Sequence, residues 1–243
     1  MLDSGTAVDD ARATPELATA QPLAPVRPAS APGDLLASWL TEATRRDTSL
    51  QPRLLRMSDG RLLPLHVDRW AGPVTQADET LLGRAHGPVL DVGCGPGRLT
   101  AALHRRGVDV LGLDVLAPVP VLARRAGARV HLASVFEPLP REGTWGSVLL
   151  ADGNIGIGGD VVRLLRRARE LLTPGGTVLC ELQPEAPCRG SERVRLEGLG
   201  CTSDWFSWAM LAPDAVHAVA VEAGLAVREV WDAQDRVFAE LTA

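Results

Sequence analysis

Val89-Leu90-Asp91-Val92-Gly93-Cys94-Gly95-Pro96-Gly97-Arg98-Leu99 is the stretch that decides the fold of this chain. Pro88–Val92 is an apolar run interrupted by one acid, and it reads as a short buried strand. Gly93, Gly95 and Gly97 follow, where the absence of a Cβ lets the backbone turn tightly and approach a ligand. A helical pattern opens near Gly97, so unpaired N–H groups and the positive end of a helix dipole face whatever lies above the strand.

Two kinds of ligand use such a turn. Dinucleotide enzymes seat a pyrophosphate on G-x-G-x-x-G. Here the third glycine comes one residue early, and Asp91 would stand close to that pyrophosphate. An acid at this place suits a ligand carrying an ammonium group. The stretch resembles motif I of the class I S-adenosylmethionine-dependent methyltransferases, in the form V-L-D-V-G-C-G-P-G.

The pattern on either side extends the reading. Helix Arg98–Arg106 stops at Gly107, and Val108–Asp114 is a second strand ending in an acid. An acid there can accept both hydroxyls of a ribose. Ala117–Ala126 is a helix with Pro118 and Pro120 in its first turn, and Arg129–Ala133 is a third strand. Trp145–Asp152 is a fourth strand, Asp160 caps the helix Val161–Leu172, and Thr177–Leu182 is a fifth strand after Pro174-Gly175-Gly176. The order helix, L-x-P-G-G, strand also resembles the family. Pro213–Ala223 is a helix closed by Gly224, and Leu225–Trp231 with Arg236–Leu241 forms a final strand pair. Strands alternating with helices predict an α/β, Rossmann-like doubly wound sheet, with helices on both faces. The resemblance implies seven strands, mostly parallel, with an antiparallel last strand.

Residues 1–33 are rich in Ala and Pro and are expected to form a disordered tail. Residues 34–86 precede the glycine turn. They read as a helix capped by Asp34 with Leu35, Leu36, Trp39 and Leu40 as its stripe, a hairpin at Asp59-Gly60, and a short helix over Thr75–Ala85. This N-terminal helix and hairpin extension is a cap over the sheet or the cofactor. Residues 87–243 are then the S-adenosylmethionine-binding domain. Glu185–Gly200 reads as irregular and polar.

Composition narrows the partners. All 25 basic residues of the 243 are Arg, and the net charge of −5 gives no footprint for a nucleic acid. Cys94, Cys180, Cys188 and Cys201 form no C-x-x-C pair, so no metal site is expected and free thiols in a reducing cytoplasm fit. The N-terminus has no secretory h-region, and no apolar run reaches the length of a membrane span. The expected protein is cytoplasmic, without membrane or nucleic-acid partners, and its oligomeric state is left open.

Under the resemblance the cofactor is S-adenosyl-L-methionine. Its amino-acid part would lie over Gly93, Cys94, Gly95 and Gly97 near Asp91. Its ribose would rest on Asp114 beside Val115, and its adenine near Ser134 and Val135. Ser134 departs from the family, which carries an acid there; a hydroxyl can still accept the adenine amino group. Asp152, Gly153 and Asn154 follow the fourth strand, beside the methyl group. Asp152 and His66 are the candidate general bases, while Asp152 and Asn154 could equally brace the turn. Trp205, Phe206 and Trp208 are candidate substrate contacts, or ordinary core. No N-P-P-Y-like motif follows the fourth strand, so a small molecule is the expected substrate. A nicotinamide-dependent oxidoreductase and a non-catalytic S-adenosylmethionine-binding module remain alternatives.

Overall fold

The computed structural model describes residues 29–45, 52–184 and 189–243, with no description of the side chain of Arg189. Most of the expected tail lies outside the described residues. The extension comprises α1 (Pro32–Thr44), β1 (Leu54–Met57), β2 (Leu62–Pro64), α2 (Val67–Ala71) and α3 (Gln76–Leu82). There follow β3 (Val89–Val92), α4 (Arg98–Arg105), β4 (Val110–Asp114), α5 (Val119–Ala126), β5 (Val130–Leu132), β6 (Trp145–Leu150), α6 (Val161–Leu171) and β7 (Leu172–Leu182). The chain then adds β8 (Arg189–Gly198), β9 (Cys201–Thr202), β10 (Phe206–Leu211), α7 (Val216–Ala223), β11 (Ala226–Ala233) and β12 (Arg236–Thr242).

Seven strands form the main sheet in the order β11-β12-β7-β6-β3-β4-β5. Neighbours from β7 to β5 pair in parallel, whereas β12 runs antiparallel to both β7 and β11. The expected sheet is therefore the one observed. Its inner strands β3 and β6 are buried at every residue, as strands covered on both faces must be. On one face Leu164, Leu165 and Ala168 of α6 pack with Val216, Val219 and Ala220 of α7. On the other, Leu81 and Leu82 of α3 pack with Leu99 and Leu103 of α4 and Phe238 of β12.

A second sheet, β10-β8-β1-β2 with β9 on β8, is antiparallel throughout. It corrects two readings. Glu185–Gly200 is not irregular over its described part, because β8 pairs with β1 on one side and β10 on the other. Val194 and Leu196 are buried while Arg195 and Glu197 point away from the core, the alternation of a half-buried strand. The cap is also not built by the N-terminal extension alone. The hairpin at Asp59-Gly60 forms as expected and contributes two strands, and residues 189–211 contribute the rest. Trp39 and Leu40 of α1 join Met57, Val194 and Met210 in its core.

One helix start differs from expectation. Residue Ala31, not Asp34, is the N-cap of α1, without a side-chain bond, and Pro32 occupies the first turn. Residues 29–33 are thus placed: Ser30 donates its N–H to Thr202 at 3.1 Å and accepts from Asp204 at 2.9 Å. In α3 Thr75 and Asp78 cap each other reciprocally. Among the described residues no helix is long and apolar enough to cross a membrane.

Candidate functional site

The carboxyl ends of β3, β4, β6 and β7 open into a cavity of about 920 Å³, roofed by the cap. This is where ligands bind in open α/β sheets. The volume lies near the upper end of the roughly 300–1,000 Å³ usual for ligand sites.

Asp91 lies on the cavity floor, 2 % exposed, and accepts the Thr100 hydroxyl at 2.6 Å. Burial pushes its carboxyl up to about 6, against the pull of that hydrogen bond. Gly95 has φ +51°, and a Cβ added there would meet no protein atom within 4 Å, so this position faces open space. Asp114 is buried at the end of β4. Its two oxygens accept the N–H groups of Gly95 and Leu116, each at 2.9 Å. Burial raises its carboxyl above the ordinary value, while those two bonds act the other way. Val115 beside it is 64 % exposed, an apolar side chain bare at the cavity edge. Ser134 lines the cavity, but its Oγ already accepts the Phe136 N–H at 3.2 Å. Val135 also lines it and is otherwise buried in the core.

Gly93 and Gly97 are each required by packing within the chain. A Cβ on Gly93 would fall 2.6 Å from the Asn154 carboxamide, and one on Gly97 would fall 2.8 Å from Ala128 Cβ. Gly97 does not line the cavity; it starts α4 in the left-handed conformation and lets α4 pack against α5. Asn154 donates Nδ2–H to the carbonyls of Val92 and Gly93, at 2.9 and 3.0 Å. Its carboxamide braces the glycine turn from below. The glycines after β6 behave likewise. A Cβ at Gly156 would strike Trp208, at Gly158 Phe136, and at Gly159 Ser207.

Asp152 sits in the left-handed region, φ +56°, just past β6. Its carboxylate accepts Arg98 Nη2 at 2.7 Å and Arg236 Nη2 at 3.1 Å. Its N–H donates to Glu181 Oε2 at 2.6 Å. Arg236 also binds Glu181 and the fully buried Asp78, and Arg98 closes the ring by pairing with Asp78. Arg69 of α2 approaches Asp152 at 3.6 Å and Glu181 at 4.0 Å. Three guanidinium groups thus face three carboxylates. Burial raises the Asp152 carboxyl and the arginines lower it. A carboxylate so engaged is a structural tie more than a free base. His66, the N-cap of α2, stands exposed on the cavity wall with no side-chain cap bond.

Of the aromatic candidates, Phe206 and Trp208 line the cavity and meet edge to face, with ring centroids 6.2 Å apart. Trp205 does not line it. Trp205 precedes β10 and is partly exposed, and Arg195 covers its ring at 5.0 Å. Five cavity residues escaped the sequence reading: Arg69, Arg98, Glu181, Gln183 and Arg236. Gln183 follows β7 directly, and its place at a parallel strand's carboxyl end was the available signal.

A doubly wound sheet with one antiparallel strand, a glycine turn between β3 and α4, an acid within β3 and an acid closing β4 defines the class I S-adenosylmethionine-dependent methyltransferase fold. Residues 89–176 match the family described as a methyltransferase domain, so the resemblance read from the glycine turn holds. Over 106 residues the chain is 32 % identical to a malonyl-[acyl-carrier protein] O-methyltransferase of Salmonella typhimurium, covering 42 % of each chain. Over 149 residues it is 30 % identical to a ubiquinone biosynthesis O-methyltransferase of Cereibacter sphaeroides, covering 56 % of this chain and 59 % of that one. The chain thus matches only about half the length of these relatives. A Bacteroides fragilis S-adenosylmethionine-dependent methyltransferase, solved with S-adenosyl-L-homocysteine, superposes with TM-score 0.72 at 20 % identity, covering 90 % of this chain and 98 % of that one. The 1,6-didemethyltoxoflavin-N1-methyltransferase of Burkholderia thailandensis superposes with TM-score 0.57 at 16 % identity, covering 89 % and 92 %.

Proposed function

We propose that the protein transfers a methyl group from S-adenosyl-L-methionine to a small molecule. The cavity floor carries this reading. Open space above Gly95 lies in the same cavity as two buried acids, Asp91 and Asp114, each suited to a different end of one ligand. Asp91 has no guanidinium among its hydrogen-bond partners and would take an ammonium group. Asp114 would take the ribose hydroxyls on its remaining lone pairs, and Val115 would pack on the adenine. Both curated relatives are O-methyltransferases by name, which supports oxygen as the acceptor atom.

When bound, the cofactor supplies an electrophilic sulfonium methyl group. The protein's share is alignment and exclusion of water: the cap shuts the cavity with apolar side chains, and Asn154 and the arginine–carboxylate cluster fix the turn and β6 end below it. Calorimetry with S-adenosylmethionine, S-adenosylhomocysteine and NAD tests the cofactor, and a labelled-methyl screen on cell extract tests transfer. Binding of NAD in preference to both sulfur compounds would refute the proposal.

Two expected results concern the acids. Asp114→Ala should weaken S-adenosylhomocysteine binding by about 1–3 kcal/mol, because the ribose loses a charged acceptor. Unchanged affinity in a folded variant would remove Asp114 from the ribose. Asp91 should make binding depend on pH. Its folded value, about 6, lies above the ordinary 3.8, so the native state holds the proton longer than the unfolded chain. Stability of the free protein therefore falls as pH rises from the ordinary value to about 6, and levels off above. An ammonium ligand favours the ionised form, so affinity should climb as pH rises through about 6 and then flatten. Asp91→Asn should bind weakly and without this dependence. A flat profile in the native protein would sink the ammonium assignment.

A further inference from the structure

The cap wall and the cofactor floor differ in kind. Leu36 and Leu40 of α1, Leu63 of β2, and Phe206 and Met210 of β10 line the upper cavity. Most charges of the lower cavity are paired, while His66 and Asp235 are exposed. Arg98, Arg236, Asp152 and Glu181 bind one another, and Arg69 stands between Asp152 and Glu181. Asp91 and Asp114 belong to the cofactor under the reading above. α1 and the cap strands β1, β2, β8 and β10 contribute no charged side chain to the lining, so a charge seated against them would leave water without an adjacent counter-charge, a severe cost.

One polar group at the boundary is both fixed and free. Gln183 donates its N–H to Leu211 at 2.9 Å, and its Oε1 accepts the Leu211 N–H at 3.2 Å. These two bonds hold the side chain against the end of β10 and orient the carboxamide, since only its oxygen can accept. Nε2 is thereby turned away from Leu211. It lies 3.5 Å from where a Gly153 Cβ would be, and among the described residues it has no hydrogen-bond partner. Gln183 and Gly153 both line the cavity. A donor locked by the backbone of one wall and left unused beside the reaction centre is a recognition element.

We propose that Gln183 donates Nε2–H to an oxygen acceptor of the substrate, and that this substrate is a neutral, largely apolar small molecule seated against the leucine-lined cap. The proposal rests on the methyltransferase reading for its substrate role, but its binding test does not. Three matched probes serve: 2-acetonaphthone, which carries a carbonyl; 2-ethylnaphthalene, which has no acceptor; and 2-naphthoate, which is charged. Affinities are read by tryptophan fluorescence on the full chain, with and without saturating S-adenosylhomocysteine.

The ketone should bind roughly five- to tenfold tighter than the hydrocarbon, the worth of one hydrogen bond, and the carboxylate weakest. Gln183→Leu should erase the ketone's advantage and leave the hydrocarbon's affinity within about twofold. Gln183→Glu, whose carboxylate can still accept from Leu211, should reverse the preference. Leu40→Asp should weaken ketone and hydrocarbon together. Equal binding of ketone and hydrocarbon by the native protein would overturn the proposal, as would a ketone preference that survives in Gln183→Leu, or tightest binding of the carboxylate. Calorimetry on the same samples reports S-adenosylhomocysteine separately. If it fails to bind while the ketone preference holds, the methyltransferase reading falls and the recognition by Gln183 stands.

Discussion

Replacing Asp78 with Ala should destabilise the protein by about 3–5 kcal/mol, the cost of breaking a buried ionic cluster from one side. Asp78 is fully buried and accepts from Arg98 and from Arg236, the latter at 2.6 Å. Both arginines are themselves buried, with side chains 6 % and 4 % exposed. The arginines hold the Asp78 carboxyl down to about 2 against its burial, so it stays charged at any ordinary pH. Removing it leaves each guanidinium short of one partner on its buried side. The same carboxylate also accepts the Thr75 N–H at 2.7 Å, so the start of α3 loosens as well. Urea unfolding is the measurement. Conservative replacement by Asn should recover only part of the loss, since Asn keeps the shape and the acceptor oxygen but not the charge. A change below about 1 kcal/mol for Asp78→Ala would mean that Asp152 and Glu181 satisfy both arginines unaided. Because the Asp78 carboxyl is depressed, its contribution is present above the ordinary carboxylate value and is lost as pH falls through about 2.

That cluster also shows where sequence reading ends. The main sheet was legible because β3 and β4 are apolar runs that carry an acid at or near their ends, and the helices α4, α5 and α7 are followed by glycine stops. These are local signals. Val89–Val92 and Val110–Asp114 fall where the pattern places them, and Gly127 and Gly224 close α5 and α7 in the left-handed conformation. The Asp78–Arg236 bond spans 158 residues, and nothing near either residue announces the other. Arg98 reads locally as the first residue of a helix, and its partners come from α3 and the end of β6. The cap failed for a related reason. Ser191-Glu192-Arg193-Val194-Arg195-Leu196-Glu197 has only two large apolar residues, and the charges between them mask the period of two. Those charges are stable because Arg56 on the neighbouring strand pairs with Glu197 at 2.6 Å. Asn154 follows β6 and holds the glycine turn through the carbonyls of Val92 and Gly93. That long-range contact requires a glycine at position 93, which also lines the cavity.

Gly95→Val should abolish S-adenosylmethionine binding in a protein that still folds. Among the turn glycines that line the cavity, Gly93 is filled beneath by Asn154, whereas a Cβ at Gly95 meets nothing of the protein within 4 Å. The valine methyls would therefore project into the cavity, over the turn that the amino-acid part of the cofactor would occupy. Rigid backbone on both sides limits relief. The neighbouring N–H bonds fix Gly95 to Asp114 at 2.9 Å and Gly97 to Cys94 at 3.0 Å. A loss of at least about a hundredfold in affinity is expected, some 2.8 kcal/mol. The native φ of +51° adds a separate cost, since a β-branched residue is strained there by about 1–2 kcal/mol. The two effects separate by measurement. The strain appears as a lower midpoint in urea for the free protein, and the blocked site appears in calorimetry below that midpoint. Gly95→Ala carries most of the backbone cost with a single methyl group, so it should lie between the native protein and Gly95→Val in affinity while nearly matching the latter in stability. A folded Gly95→Val protein that binds S-adenosylhomocysteine as tightly as the native chain would place the cofactor elsewhere in the cavity.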